Sequence, residues 1–209
     1  MYYNNAEWVL SLFYPSLTWS KKTDEKVIYL TFDDGPIPEV TEYVLDELNR
    51  FSAKATFFCV GHNIEKNRNI FDKLTLTHHS IGNHTFNHLN GWKTENDNYF
   101  DNIRQCEAII GNKAKSQGKK LFRPPYGKIK YSQLRKLKED YEIVMWDVLT
   151  GDFNVNLNEE KCLKKAIKYT DKGSIVIFHD SIKSQKNLQY VLPRYLEHYS
   201  SAGYKFEAL

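Results

Sequence analysis

Residues 27–36 read Val-Ile-Tyr-Leu-Thr-Phe-Asp-Asp-Gly-Pro, an apolar run that stops on two carboxylates. The β-branched and aromatic residues of 27–32 predict a strand. Asp-Asp-Gly-Pro ends it, since each of these residue types favours a turn. Beyond the turn, Val40, Val44, Leu45 and Leu48 fall on one helical face. A strand running through a polar turn into a helix is half of a βαβ unit, and the alternation recurs. Further strands are expected at residues 55–60 (ATFFCV), 80–82, 121–123, 142–148 (EIVMWDV), 174–178 (SIVIF) and 204–207. Helices between them are marked by residues 64–74, by Tyr99, Ile103, Cys106 and Ile110, and by Leu134 with Leu137. Two more follow, one N-capped by Asn158 with Leu163 and Ile167 inward, the other over residues 185–199.

Strands alternating with helices imply right-handed crossovers and a parallel sheet. Seven strands are too few for the regular eightfold barrel. The expected fold is therefore α/β, a distorted (β/α)7-type barrel, with an open doubly wound sheet as the alternative. The chain has 209 residues and no repeat or linker that would split it. It reads as one catalytic domain over residues 25–209, with residues 1–24 as an N-terminal segment docked on the barrel.

Composition narrows the function classes. A net charge of +3, from 29 basic and 26 acidic residues, lacks the concentrated basic footprint of a nucleic-acid protein. The lysine-rich residues 113–120 (KAKSQGKK) read as a solvated loop. Cys59, Cys106 and Cys162 are scattered and odd in number, which argues against a disulfide framework. Apolar residues 8–19 are interrupted by Pro15 and fall short of the ~20 needed to cross a bilayer. With no recognisable secretory signal, the expected compartment is the cytoplasm.

The placement of polar residues carries the functional argument. Asp33 and Asp34 follow the first expected strand, His84 and His88 the third, Arg123 ends the fourth, and His179 ends the sixth. Asp147 and Asp152 lie at or beyond the end of the fifth. All are expected at the C-terminal rim of the strands, where barrel active sites are built.

His84 and His88 are four residues apart, which puts two imidazoles on one side of a turn. Alone the pair is unremarkable, but Asp34 completes a carboxylate–dihistidine set that binds zinc and leaves a position open for chemistry. Successive side chains diverge on a strand, so Asp34 is the metal ligand and Asp33 the general base. Arg123, stiffened by Pro124 and Pro125, would hold the Asp33 carboxylate in place. The same turn aims the Tyr126 backbone N–H at an oxyanion. His179 is a candidate general acid, provided a carboxylate keeps it charged. Each feature has a bland reading on its own: a turn, a proline-rich loop, a structural histidine.

In this order the motifs resemble the polysaccharide deacetylase family, the group sharing the NodB homology domain (carbohydrate esterase family 4). The resemblance is carried by Thr31-Phe-Asp-Asp-Gly-Pro36, His84-Thr-Phe-Asn-His88, Arg123-Pro-Pro-Tyr-Gly127, residues 146–153 and Ile177-Phe-His179. It implies a base at Asp33, a metal triad of Asp34, His84 and His88, an acid at His179, and Arg123 holding Asp33. It also implies a substrate pocket at Trp146 and Ile177, with Pro124, Tyr126 and Phe153 as further substrate contacts. The cofactor implied is one divalent cation, zinc first, with cobalt, nickel and manganese compatible with the same ligands. Substrates in the family are acetylated glycans of the chitin, peptidoglycan or xylan type.

One motif departs. The family pattern Asp-x-x-Asp-Trp here reads Leu149-Thr-Gly-Asp152-Phe153, so Leu149 stands where a carboxylate that tunes the catalytic histidine is expected. Asp147 or Asp152 is expected to take over that role. The leading reading is a metal-dependent N-deacetylase of a GlcNAc-type glycan. The alternatives are an O-acetyl xylan esterase or small-amide hydrolase of the same fold, and a non-catalytic glycan-binding relative.

Overall fold

The computed structural model describes residues 14–113 and 118–209. In chain order the elements are β1 (Val27–Asp33), α1 (Val40–Arg50), β2 (Thr56–Cys59), α2 (Gly61–Lys66), α3 (Arg68–Leu76), β3 (Ser80–Asn83) and α4 (Asn96–Ile110). They continue as β4 (Lys120–Phe122), α5 (Tyr131–Leu137), β5 (Tyr141–Ile143), β6 (Val148–Leu149), α6 (Glu159–Tyr169), β7 (Ile175–His179), α7 (Gln185–Ser201) and β8 (Lys205–Glu207). The strands form one parallel sheet in the order β5-β4-β3-β2-β1-β7-β6, with β8 paired to the start of β1. The curled sheet with outer helices is the distorted barrel that the alternation of elements implied. No helix among the described residues is long and apolar enough to cross a membrane.

β1 organises both layers through the two-residue period of a strand. Ile28, Leu30 and Phe32 point outward into the main core, where they meet Val44 and Leu48 of α1 and Leu188, Leu192 and Tyr195 of α7. The Phe32 ring stacks on Phe57 at 5.1 Å and on Phe178 at 5.6 Å, tying β1 to both neighbouring strands. Tyr29, Thr31 and Asp33 alternate to the inner face, so the last of them delivers a carboxylate to the mouth of the barrel. Asn158 caps α6 by accepting from the N–H groups of Glu160 and Lys161.

Two element expectations need correction. Residues 64–74 belong to two short helices, α2 and α3, that break at Asn67. The single strand expected at 142–148 is split into β5 and β6. Arg123 takes the carbonyls of Val144 (3.2 Å) and Met145 (2.7 Å). Val144 N–H still bonds to Phe122 on the β4 side, whereas Asp147 N–H already bonds to Ile175 on the β7 side. Residues 144–147 therefore cross between the two edges of the sheet, and the barrel closes through this crossing rather than through a β5–β6 ladder. The apolar run of 142–148 records the burial but not the interruption.

The N-terminal segment is described only from residue 14. Thr18 bridges to Val144 and Ser20 to Ser174, so it lies across the gap that the crossing leaves. The expectation of a docked segment falls otherwise on residues 1–13, outside the described residues. Residues 114–117 of the lysine-rich stretch are likewise outside them. The three cysteines are free and buried.

Candidate active site

The barrel mouth opens into a cleft of about 620 Å³ lined by residues of several strand-to-helix loops. Asp33 and His179 are register partners at the ends of β1 and β7. Adjacent parallel strands lie about 4.8 Å apart, so these two side chains enter the cleft side by side. Asp33 is buried, and its Oδ1 accepts from Arg123 Nη1 at 2.7 Å. The same nitrogen donates to Thr31 Oγ1 at 2.7 Å, and the guanidinium lies 4.2 Å from the Phe58 ring centroid. With the Val144 and Met145 carbonyls, every nitrogen of this fully buried guanidinium is thus engaged, and its plane is fixed against an aromatic face. The Oδ2 atom of Asp33 faces His84 Nε2 at 3.7 Å.

Asp34, His84 and His88 offer one ligand atom each, all within 4.8 Å of one another. The backbone assembles this set. Asp34 has φ 90° and His88 φ 55°, left-handed conformations that turn the chain sharply after β1 and within the loop after β3. The Asp34 carbonyl is anchored by the Asn63 side-chain amide at 2.7 Å. His84 Nδ1 lies 2.8 Å from the Arg123 carbonyl, which only accepts, so Nδ1 carries the hydrogen and Nε2 keeps its lone pair toward the cleft. Burial, with His88 nearby, pushes His84 well below the ordinary histidine range and keeps it neutral. His88 Nδ1 lies 3.1 Å from the Tyr126 hydroxyl. These donors, two imidazoles and one carboxylate, are chemically suited to a divalent cation of the zinc type.

On the other side of the cleft, the fully buried Asp152 holds His179 twice. Its Oδ1 meets His179 Nδ1 at 2.8 Å and its Oδ2 accepts the His179 backbone N–H at 2.7 Å. Burial alone would lower the pKa of this histidine, but Asp152, with Asp34 and Asp33 behind it, raises it to about 9. The Phe153 ring packs edge-on against His179 at 5.0 Å. Trp146, Leu149 and Ile177 supply apolar wall.

Two expected site residues lie elsewhere. Asp147 does not reach His179. Its carboxylate accepts from Ser174 Oγ and Ile175 N, both at 2.7 Å, at the entry of β7 and about four residues (roughly 13 Å) from the rim. Because the chain crosses the barrel at 144–147, Asp147 stands before β6 instead of after it. Pro124 is buried and absent from the cleft wall; its carbonyl accepts from Gly127 N–H at 3.0 Å and closes the turn behind it. Tyr126, Trp146, Phe153 and Ile177 do line the cleft.

Asp180 went unnoticed in the sequence as a site residue. It is fully buried, and its carboxylate accepts from Gly35 N–H at 3.0 Å and from the Thr41 hydroxyl at 2.5 Å. Burial pushes its carboxyl up to about 8. A Cβ at position 35 would lie 2.0 Å from Asp180 Oδ2, so only glycine fits between the two aspartates and this strut. The signal available was a carboxylate directly after a buried strand. Lys128, Ser181 and Lys183 also line the cleft, and nothing in their local sequence marks them.

Comparison with known proteins agrees with this geometry. A family model described as polysaccharide deacetylase matches residues 20–145. A peptidoglycan-N-acetylglucosamine deacetylase of Bacillus cereus is 31% identical over 192 residues, covering 91% of this chain and 89% of that protein. A chitooligosaccharide deacetylase of Azorhizobium caulinodans is 31% identical over 158 residues, 75% of each. Other relatives are longer, and the chain spans 33% to 61% of their length. Among solved structures, a peptidoglycan N-acetylglucosamine deacetylase in complex with 4-naphthalen-1-yl-N-oxidanyl-benzamide superposes with a TM-score of 0.87 at 31% identity. The match covers 95% of this chain and 94% of that one.

Proposed function

Because the chain belongs to the polysaccharide deacetylase family, we propose that it hydrolyses N-acetyl groups of a GlcNAc-type glycan, peptidoglycan or chitin oligomers, with one divalent cation. The single observation that carries the reading is the pairing of Asp33 with His179 across β1 and β7, beside the Asp34, His84 and His88 set. The names of the similar deacetylases support the substrate class.

Asp34, His84 and His88 would hold the cation, with zinc first and cobalt, nickel or manganese compatible. When bound, it supplies a Lewis acid that polarises the acetyl carbonyl and acidifies water. The chain's own residues do the rest. Asp33 commits Oδ1 to Arg123 and keeps Oδ2 toward the cleft, free to take the proton of the attacking water. His179, with Nδ1 tied to Asp152, presents Nε2 and donates a proton to the leaving amine. Its raised pKa keeps it protonated at neutral pH, as an acid requires. The Tyr126 backbone N–H faces the developing oxyanion, and Trp146, Leu149 and Ile177 receive the acetyl methyl.

The test is acetate release from N-acetylated chito-oligosaccharides by metal-stripped protein, with zinc or cobalt restored. Release that depends on restored metal supports the proposal. Release only from O-acetyl esters, or none with metal bound to folded protein, overturns it.

A further inference from the structure

Two ammonium groups in the cleft take no part in the reaction described above. Lys128 follows the Arg-Pro-Pro-Tyr-Gly turn after β4, and Lys183 lies in the loop between β7 and α7; both line the cleft. Some lysines elsewhere on the fold are matched by carboxylates, as Lys21 is by Glu142, Lys54 by Glu207 and Lys120 by Glu107; what sets Lys128 and Lys183 apart is that they stand in the cleft wall. Among the described residues, Lys128 and Lys183 make no ion pair. The cleft's own carboxylates are already engaged: Asp33 with Arg123, Asp152 with His179, and Asp34 beside His88.

Each lysine rests instead on an aromatic ring. Lys128 Nζ is 5.3 Å from the Trp92 ring centroid, and Lys183 Nζ is 5.8 Å from that of Phe153. Trp92 is 60% exposed, yet it is fixed because its indole N–H donates to the Ile129 carbonyl at 3.0 Å. A cation over a ring face is held in place without being neutralised. The two charges therefore remain available to an incoming ligand, on loops that lie apart around the rim. Neutral sugar hydroxyls do not call for two unmatched cations at a rim, whereas carboxylates gain from both in encounter and in binding.

We infer that Lys128 and Lys183 form an anion-binding subsite flanking the acetylated sugar. The preferred substrate is then an N-acetylated glycan that carries carboxylates, on neighbouring sugars or on attached peptides, over a neutral homopolymer. This rests on the deacetylase reading of the cleft.

The experiment measures kcat/KM for acetate release by metal-restored enzyme on three oligomers of equal length. One is a neutral GlcNAc oligomer, one carries lactyl carboxylates on alternate sugars, and one carries peptide stems as well. Wild type is compared with the double variants Lys128→Gln/Lys183→Gln and Lys128→Arg/Lys183→Arg. In wild type the better anionic oligomer exceeds the neutral one by about tenfold or more, and added salt reduces that ratio. The Gln pair lowers the anionic-to-neutral ratio by about tenfold, mainly through KM, and the Arg pair keeps it within about twofold. Which anionic oligomer leads identifies the carboxylate recognised. A wild-type preference for the neutral oligomer, or a ratio unmoved by the Gln pair, overturns the inference and leaves the deacetylase reading standing. No release from any oligomer overturns both.

Discussion

The two walls of the cleft are held by different means. Around β1, β3 and β4 the backbone does the holding: Asp34, His88 and Tyr126 all adopt left-handed φ without being glycine, and Gly35 is wedged against Asp180. Such conformations cost about 1–3 kcal/mol each and persist only where the surroundings enforce them. Around β6 and β7 a side chain does it. Asp152 reaches from the loop after β6 to grip both the imidazole and the backbone of His179. A wall set by backbone turns fixes which residue bears each group. A wall set by a reaching carboxylate leaves that carboxylate's place in the sequence free, so long as its oxygens arrive at the same imidazole.

The largest effect is expected on the backbone-held wall. His84→Ala removes a donor that no neighbour can replace, so bound metal falls to background and acetate release falls by about 10³-fold or more. Metal analysis and an activity assay on folded protein check this, and retention of stoichiometric metal contradicts the ligand assignment.

Next comes Asp152→Asn. An acid must be protonated, so activity is present below the His179 pKa and is lost as pH rises through it. Asp152 raises that pKa, and removing its charge moves the basic limb of the pH–rate profile to lower pH. A drop of roughly 10²-fold in kcat at neutral pH accompanies the shift. An unmoved limb would show that His179 is tuned by some other group.

The smallest effect on activity belongs to Asp147→Asn. This carboxylate serves Ser174 and the start of β7, so the change weakens folding by about 1–3 kcal/mol and leaves the pH–rate profile in place. Denaturant titration beside the pH profile separates it from Asp152→Asn.

The same contrast explains what the sequence made legible. Asp33 and Asp34, His84 and His88, and Arg123 sit at strand ends whose positions follow from two-residue alternation and turn chemistry; the structure brings the first four to one cleft and sets Arg123 buried behind Asp33. Asp147 and Asp152 were equivalent as sequence, five residues apart around Leu149. Only the crossing at 144–147, where Arg123 binds two carbonyls, decides between them. Asp180 was missed for a related reason, since its partners Gly35 and Thr41 lie far away in the chain. The parallel sheet, by contrast, needed little tertiary information, because strands alternating with helices leave few other ways to connect them.

The central claim is that Asp33 is the base and stands outside the metal set. It is tested most directly by measuring bound metal and acetate release together in Asp33→Asn. The account predicts that metal content matches wild type while release falls by about 10³-fold or more. Turnover near the wild-type level, or loss of the metal along with activity, would contradict it.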